Sequence, residues 1–270
     1  MLLALSPCKA LNRLVRLYYV VEDIAGVRAG AVIETCPYPG AVLTVNIGRP
    51  NSIADGPVTP VVSFLGAQTK RRKWSSCPET HFVMIFLTFD GLARLFPRDG
   101  AVTADDLVDL GSLIGDAAAG QLVADVSAAP DADAIAQLLD RWLLKRAERS
   151  PQAPEFFALS EACARLRAGQ GVQEIAQSLN VSRRQIGRWF QRYIGLSPKS
   201  VMILERLNSS VRKIQLQNGD AVDGYSDQAH QIRSWRKLVG LTPKAYANRT
   251  LSPMAADFAR LRTEAPAFYF

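Results

Sequence analysis

Residues 172–199, VQEIAQSLNVSRRQIGRWFQRYIGLSPK, constrain the fold of this chain more than any other segment. Apolar residues from Val172 to Leu179 recur at the spacing of one helix face, which predicts a first short helix. Asn180 tolerates a left-handed backbone at little cost, and Ser182 is a favoured N-cap for a new helix. The segment therefore predicts two short helices joined by a tight turn.

The second of these helices turns apolar residues inward and basic residues outward. Its inward positions are Ile186, Trp189, Phe190 and Ile194, and Gly195 is expected to end it. The outward positions of its first two turns hold Arg183, Arg184, Gln185 and Arg188. Arginine can donate two hydrogen bonds to guanine, and glutamine can pair with adenine. This pattern favours a helix that enters the major groove of DNA; the alternative is a helical hairpin with a solvated basic face.

A shortened copy of this pattern follows about 45 residues later. Arg188, Phe190, Gly195, Leu196, Ser197, Pro198 and Lys199 recur in type as Arg233, Trp235, Gly240, Leu241, Thr242, Pro243 and Lys244. Each Ser-Pro or Thr-Pro pair predicts an N-cap followed by proline at the first helical position. The two lysines then lie near helix starts, where backbone N–H groups can also face phosphate. The repetition strengthens the DNA-binding interpretation.

With both copies in view, residues 160–250 resemble the DNA-binding domain of the AraC/XylS transcriptional regulators, which has two helix-turn-helix modules bridged by a long helix. The phrases that carry the resemblance are SRRQIGRWFQRYIGLSPK and GYSDQAHQIRSWRKLVGLTPKAY. The resemblance implies a bridging helix that begins at Pro198 and runs to Gln215. It implies base contacts in the first module by Arg184 and Arg188, with Ser182, Arg183 and Gln185 beside them. In the second module it implies contacts by Gln228, Ala229, His230 and Arg233.

The second module departs from the family pattern in two ways. Residues 215–223 must finish the bridging helix, turn, and build the first helix of the module, although two helical turns alone need roughly seven residues. Gln231 stands where Ile186 stands in the first module, and a buried unpaired amide costs on the order of 1–3 kcal/mol; Ile232 is a candidate replacement. We therefore expect the first module to do most of the base reading, and the second to be weakened or reduced to phosphate contact.

The charge distribution agrees with DNA binding. Residues 160–250 contain 15 Lys and Arg and 6 Asp and Glu, a net charge of +9, whereas the rest of the chain has 17 against 19, a net of −2. A basic excess confined to the motif is expected of a phosphate-binding domain. We expect no membrane partner, because the segment has no strongly amphipathic helix with a broad apolar face. His230 lacks the companions of a metal ligand, so neither metal nor cofactor is expected.

The first 150 residues predict a different kind of structure. Short β-branched or aromatic runs, such as LYYVVED, GAVIETC, GAVLTVNIG, TPVVSFLGAQ and HFVMIFLTF, read as strands of a small sheet or barrel. Helices are expected for GLARLF, capped by Asp90, for residues 105–114 and for residues 131–148. Residues 15–148 also resemble a domain of unknown function that often precedes this type of DNA-binding domain. In better-known relatives such N-terminal domains sense a small ligand or dimerise.

The predicted fold class is therefore α+β, with a small β-sheet or barrel-like domain that includes helices, followed by an all-α domain with two helix-turn-helix modules. The predicted parts are residues 1–150, 155–250 and a tail at 251–270, with a linker at 150–154. Four widely spaced cysteines suggest reduced thiols in a cytoplasmic bacterial protein without a signal peptide. The loop Gln68, Lys70, Arg71 and Arg72 is a candidate anion site, with a solvated loop as the favoured alternative.

These observations favour a transcriptional regulator that binds double-stranded DNA. Its expected partners are a promoter or operator, a small-molecule effector and, as a homodimer, a second copy of the chain. Two alternatives stay open: a degenerate regulator with weak, non-specific DNA binding, and an enzyme with a helical appendage. The sequence lacks paired carboxylates with spaced partners, a glycine-rich phosphate loop and a nucleophile elbow, so we expect no enzymatic activity.

Overall fold

The N-terminal part of the protein is built on two antiparallel sheets. The computed structural model describes residues 1–54, 56–97, 100–150, 154–216 and 224–261. Within them the strands are β1 (Leu2–Leu5), β2 (Val15–Asp23), β3 (Val32–Thr35), β4 (Ala41–Asn46), β5 (Ser52–Ile53), β6 (Val62–Leu65), β7 (Arg72–Ser75), β8 (Thr80–Leu87) and β9 (Leu107–Asp109). The larger sheet has the order β1-β2-β8-β4-β6-β9, and the smaller has the order β3-β7-β5.

Alternation of side chains along the central strands gives the larger sheet two apolar faces. Tyr18 and Ile85 belong to the core beneath the helices, whereas Tyr19 and Met84 belong to the core that faces the smaller sheet. The two pairs lie opposite each other in the β2–β8 register. Successive residues of a strand point to opposite sides of the sheet. A strand that is covered on both faces therefore needs a continuous run of apolar residues.

The helices follow the strands and continue through the C-terminal part. They are α1 (Phe89–Leu95), α2 (Gly100–Thr103), α3 (Gly111–Ile114), α4 (Asp116–Ser127), α5 (Ala132–Glu148), α6 (Pro154–Arg167), α7 (Val172–Ser178), α8 (Arg183–Tyr193), α9 (Pro198–Gln215), α10 (Gln228–Leu238), α11 (Pro243–Ala247) and α12 (Pro253–Arg260). The sheet-rich start and helical end confirm the predicted α+β class. No helix among the described residues is both long and apolar enough to span a bilayer.

One hydrophobic core runs from the sheet into the first helical hairpin. It includes Leu43 of the sheet, Leu139 of α5, Leu159 of α6 and Phe190 of α8, all with at most 1% of their surface exposed. Helix α6 joins the two parts, because it packs against both α1 and α9. The predicted division at residues 150–155 stays a prediction, and residues 151–153 of the predicted linker lie outside the described residues.

The predicted bounds of α5 and α9 were correct to within a residue, whereas the predicted helix at 105–114 and the predicted cap of α1 were wrong. Helix α5 follows its N-cap Asp131, whose carboxylate accepts from the backbone N–H of Ala134 at 2.8 Å, and α9 spans the predicted bridging helix. Residues 105–114 do not form a single helix, because 107–109 pair with the open edge of β6 and only 111–114 are helical. The N-cap of α1 is Thr88, not Asp90, which is buried.

The last described helix returns to the N-terminal part. Ala255 of α12 is buried in the core between the two sheets, and the ring of Phe258 meets the ring of Tyr19 at 4.7 Å between centroids. The guanidinium group of Arg28 is ion-paired with Asp257. Residues 253–260 of the predicted tail therefore form a docked helix, whereas 262–270 lie outside the described residues.

Candidate nucleic-acid interface

The first module has the predicted helix-turn-helix geometry. Helix α7 is followed by Asn180 in the left-handed region, with φ of 52°, and the Oγ of Ser182 accepts from the backbone N–H of Gln185 at 3.1 Å. Gly195 ends α8 with φ of 82°. Ile186 and Phe190 are buried, whereas Trp189, predicted to point inward, is only partly buried. The turn and the cap fix the direction in which α8 leaves the hairpin.

Helix α8 presents three arginine side chains to solvent. Arg183, Arg184 and Arg188 are exposed, and Gln185 is partly buried. In the part of the chain that the structure describes, none of the three guanidinium groups forms a hydrogen bond or an ion pair. Their donors are therefore available to a partner outside the chain.

Four of the six residues predicted in the first module meet on one open concave surface, which we call the α7–α8 surface. Ser182, Arg183 and Arg184 line it together with Lys199 at the start of α9, and the remaining lining comes from α7, the turn, α8 and the start of α9. The volume of the concavity is about 770 Å³. Gln185 and Arg188 belong to the same helix but not to this lining. Arginine, lysine and a helix start around one concavity suit an anionic partner.

The second recognition helix, α10, is held more firmly than the sequence predicted. Its N-cap is Asp227, whose carboxylate accepts from the backbone N–H of His230 at 2.7 Å. Gln231 is buried, but its Nε2 donates to the Oγ of Ser210 on α9 at 3.2 Å. The expectation of an unpaired amide was therefore wrong, and Ile232, which is only partly buried, does not replace Gln231. Residues 217–223 of the short segment predicted at 215–223 lie outside the described residues.

The predicted contact residues of the second module do not share the α7–α8 surface. His230 and Arg233 line a separate groove of about 570 Å³, which we call the α9–α10 groove. Gln228, Ala229 and Lys244 are exposed, and Lys244 follows the cap and proline of α11 as predicted. The imidazole Nδ1 of His230 lies 3.1 Å from the Oγ of Ser226. The described residues contain no group of three His, Cys, Asp or Glu side chains placed to hold a metal.

The α9–α10 groove brings in two basic residues that the sequence reasoning missed, Arg206 of α9 and Lys237 of α10. Lys70 from the loop before β7, predicted only as part of a separate anion site, also lines it. The sequence contained one signal for Lys237, because His230, Arg233 and Lys237 are three and four residues apart and therefore share one helix face. Nothing in the sequence pairs Lys70 with this face, because the contact is made between distant parts of the chain.

Neither predicted alternative for residues 68–72 describes the whole loop, because Lys70 and Arg71 are exposed as in a solvated loop, whereas Gln68 is not. Gln68 is fully buried, and the Nη1 of Arg71 donates to the carbonyl oxygen of Val239 at 3.4 Å and is ion-paired with Glu34 at 3.5 Å. The guanidinium group of Arg72 donates to the carbonyl oxygen of Asp105. Both arginines thus form bonds within the protein and are not a free anion site; Lys70 alone of the four lines the groove.

A small cavity lies between the two sheets, bordered by α12. Its polar lining comes from threonine, asparagine and serine side chains, and none of the described residues that line it is charged. Trp74 donates from Nε1 to the Oγ1 of Thr35 at 3.1 Å in its wall, and Phe258 closes one side. The cavity volume is about 70 Å³. This is the space of about two water molecules, at roughly 30 Å³ each.

Comparison with known proteins agrees with the geometry of the C-terminal part. A helix-turn-helix domain family matches residues 175–249, which include α8, α9 and α10. No curated protein sequence matches the chain.

Solved structures with similar coordinates are remote in sequence. ToxT from Vibrio cholerae O395 is 9% identical, with 85% of this chain and 96% of that chain covered and a TM-score of 0.45. Unsaturated fatty acid bound wild-type ToxT from V. cholerae strain SCE256 is 10% identical, with 85% and 94% covered and a TM-score of 0.44. The AraC-like transcriptional activator CuxR is 15% identical, with 73% and 74% covered and a TM-score of 0.24.

The turn, caps and glycine ends of α7 and α8, the bridging helix and the capped α10 all lie within or beside the matched residues. Residues 175–249 of this chain are therefore an AraC-type helix-turn-helix domain.

Proposed function

We propose that this protein is a sequence-specific transcriptional regulator that inserts α8 into the major groove of DNA. The observation that carries the proposal is the exposed face of Arg183, Arg184 and Arg188, whose guanidinium groups have no partner among the described residues. An arginine whose donors are not used within the protein can form two hydrogen bonds to guanine. Such a regulator would act in the cytoplasm of a bacterium, where the promoter DNA is.

Each predicted residue has a role in this proposal. Arg184 and Arg188 read base edges, with Ser182, Arg183 and Gln185 beside them. Lys199 and Lys244, near the starts of α9 and α11, contact phosphate, because helix starts and lysine both favour anions. In the second module Gln228, His230 and Arg233 are the candidate contacts.

We propose further that the first module does more of the base reading than the second. The α7–α8 surface is open, whereas His230 and Arg233 line a groove that Lys70 of the N-terminal part closes on one side. A helix face partly covered by its own chain has less room for a base edge. The second module then makes weaker base contacts, and the positive charge of the α9–α10 groove adds attraction to phosphate.

The test starts from a DNA site selected by the full-length protein from a random pool. Arg184→Ala is expected to weaken binding to this site by about 1–3 kcal/mol and to relax the base preference at one position. Arg233→Ala should cost less. Arg141→Ala is the matched control, because it removes an equal charge from an exposed position on α5. Equal losses for Arg184→Ala and Arg233→Ala would contradict the unequal roles.

Salt dependence separates the alternatives. Specific binding through several phosphate contacts predicts that log K falls steeply with log salt concentration, together with a clear preference for one sequence. Lys199→Ala should make the slope of log K against log salt concentration less steep by about one, without changing the base preference. A steep fall without sequence preference would indicate a degenerate regulator, and a flat profile would favour the enzyme alternative.

For the N-terminal part we propose a small, uncharged effector. The cavity between the sheets has apolar walls and neutral hydrogen-bonding groups, and a charge buried there without a partner would be strongly unfavourable. Its 70 Å³ is far below the 300–1,000 Å³, roughly, of sites that hold drug-sized ligands. A larger effector would have to displace Phe258, so α12 acts as the cover of the site. We also propose that the N-terminal part mediates homodimer formation.

A further inference from the structure

The N-terminal part contacts both recognition helices where they end. Helix α2 packs against α8. At this contact a Cβ on Gly100 would lie only 2.2 Å from the carbonyl oxygen of Tyr193, and a Cβ on Gly195 only 2.3 Å from the carbonyl oxygen of Gly100. Backbone therefore meets backbone at the end of α8. Because real Cβ atoms do not approach so closely, the contact requires glycine on both sides.

The end of α10 is contacted at the equivalent glycine. Gly240, the counterpart of Gly195, has φ of 78°, and a Cβ there would lie 3.3 Å from the Cζ of Arg71. The same guanidinium group donates to the carbonyl oxygen of Val239. A cation at the C-terminal end of a helix is favoured, because carbonyl groups there lack partners within the helix. A side chain rather than the backbone thus makes this contact.

A second N-terminal residue enters the core of the second module. Cys36, which follows β3, is 2% exposed and belongs to the apolar cluster of α9, α10 and α11. Its neighbours there include Val211, Trp235 and Tyr246. Burial raises the pKa of the Cys36 thiol to about 12. The N-terminal part therefore supplies both a core residue and a helix-end contact to the second module.

From these contacts we infer that the N-terminal part is a brace that fixes the distance between the two DNA-reading helices, with Gly100 at the end of α8 and Arg71 and Cys36 at the end of α10. The inference rests on the proposed DNA-binding function, and it assigns Arg71 as a positioning residue. The α8 contact is made by backbone. The contact with the carbonyl oxygen of Val239 is made by the side chain of Arg71, itself held by Glu34, so a substitution can remove it.

The DNA experiment measures tolerance to spacing. In the selected site, the distance between the segments protected by the two modules is changed by one or two base pairs. The wild type should lose at least about tenfold in affinity, the scale of one mismatched base pair. The Arg71→Ala variant should lose less than about threefold in affinity on the same change of spacing. Adding Arg233→Ala should weaken binding less in the Arg71→Ala variant than in the wild type. Adding Arg184→Ala should weaken binding equally in both.

The chain offers a matched control. Lys73 is also ion-paired with Glu34, at 2.8 Å, but no described contact joins it to α10. Lys73→Ala should keep the wild-type spacing preference. Arg71→Lys should restore part of it, because it keeps a cation beside the carbonyl oxygen of Val239. The side chain of Arg71 is 40% exposed, so its replacement should leave the fold intact.

A second readout needs no DNA. Labelling of Cys36 by a thiol reagent at pH 8, followed for each cysteine by mass spectrometry, should be slow in the wild type because the thiol is buried and neutral. Arg71→Ala should accelerate it by about fivefold, the scale of one hydrogen bond, whereas Cys163, buried in the other core, should be unaffected.

The outcomes distinguish the two proposals. If the wild type selects no sequence, the proposed function fails, and the labelling result alone decides about the brace. If the wild type binds a specific site but Arg71→Ala retains its spacing preference and slow labelling, the brace is wrong.

Discussion

The Nε2 atom of Gln231 lies 3.2 Å from the Oγ atom of Ser210, and the indole Nε1 of Trp235 lies at the same distance from that oxygen. One buried hydroxyl thus accepts hydrogen bonds from two side chains of α10. Because Ser210 belongs to α9, the pair of bonds joins the second recognition helix to the bridging helix. The glutamine that departs from the family pattern is part of the attachment.

Replacing Ser210 with alanine should therefore destabilise the second module. The substitution removes two buried hydrogen bonds, each with a net contribution of about 0.5–1.5 kcal/mol. We expect the free energy of unfolding to fall by about 1–3 kcal/mol in denaturant titrations. Ser209→Ala, at the adjacent exposed position, is the control and should change stability by less than about 0.5 kcal/mol. Similar values for both variants would argue against the role of Ser210.

Replacing Phe258 with alanine should open the cavity between the sheets. The ring lies in the wall of a cavity of about 70 Å³, and its removal should bring the volume towards the roughly 150 Å³ at which an engineered apolar cavity binds benzene. We expect an uncharged aromatic probe to bind at least about tenfold more tightly, a change of about 1.4 kcal/mol. Fluorescence titration measures this affinity.

Leu251→Ala, which alters an exposed residue before α12, is the control for Phe258→Ala and should leave probe affinity at the wild-type value. An equal gain in probe affinity in both variants would mean that the probe binds outside the cavity. A gain with a negatively charged probe but not with an uncharged one would contradict the proposed chemistry of the effector.

The stability contributed by Asp90 should depend on pH. One of its carboxylate oxygens accepts from the Oγ of Ser160 at 2.8 Å, and burial raises the pKa of this carboxyl above its ordinary value of 3.8. As pH rises above 3.8, the unfolded chain releases the proton before the folded chain does, so the folded state loses stability relative to the unfolded state. This loss is complete only above the raised pKa of the folded protein.

Asp90→Asn removes this titration. The free energy of unfolding of the variant, minus that of the wild type, should therefore increase from pH 4 to pH 7, whatever the absolute stability of the variant. Urea titrations at several pH values measure the difference. A difference that is constant across this range would show that burial does not perturb Asp90.

The sequence predicted the elements that depend on interactions between residues close together in the chain. The turn at Asn180, the caps at Ser182, Ser197 and Thr242, and the whole of α9 follow from residue types within a few positions of each other. The candidate contact residues on α8 could be named for the same reason, because they lie close together on one helix.

Tertiary contacts decided what the sequence could not predict. Residues 105–114 have helical spacing, yet β6 offers an unpaired edge that 107–109 complete. Gln231 reads as a defect until Ser210, 21 residues earlier, supplies its partner. The place of Lys70 beside α10 depends on how distant parts of the chain pack, and no short-range pattern encodes it.

Thr35 and Cys36 are consecutive residues with different surroundings. The first lines the cavity between the sheets, and the second is packed among the helices of the second module. Successive side chains of an extended chain point to opposite sides. A single peptide bond therefore separates the wall of the cavity from the helical core of the second module. If the proposed effector shifts Thr35, the first residue outside the cavity to respond is one that packs under a recognition helix.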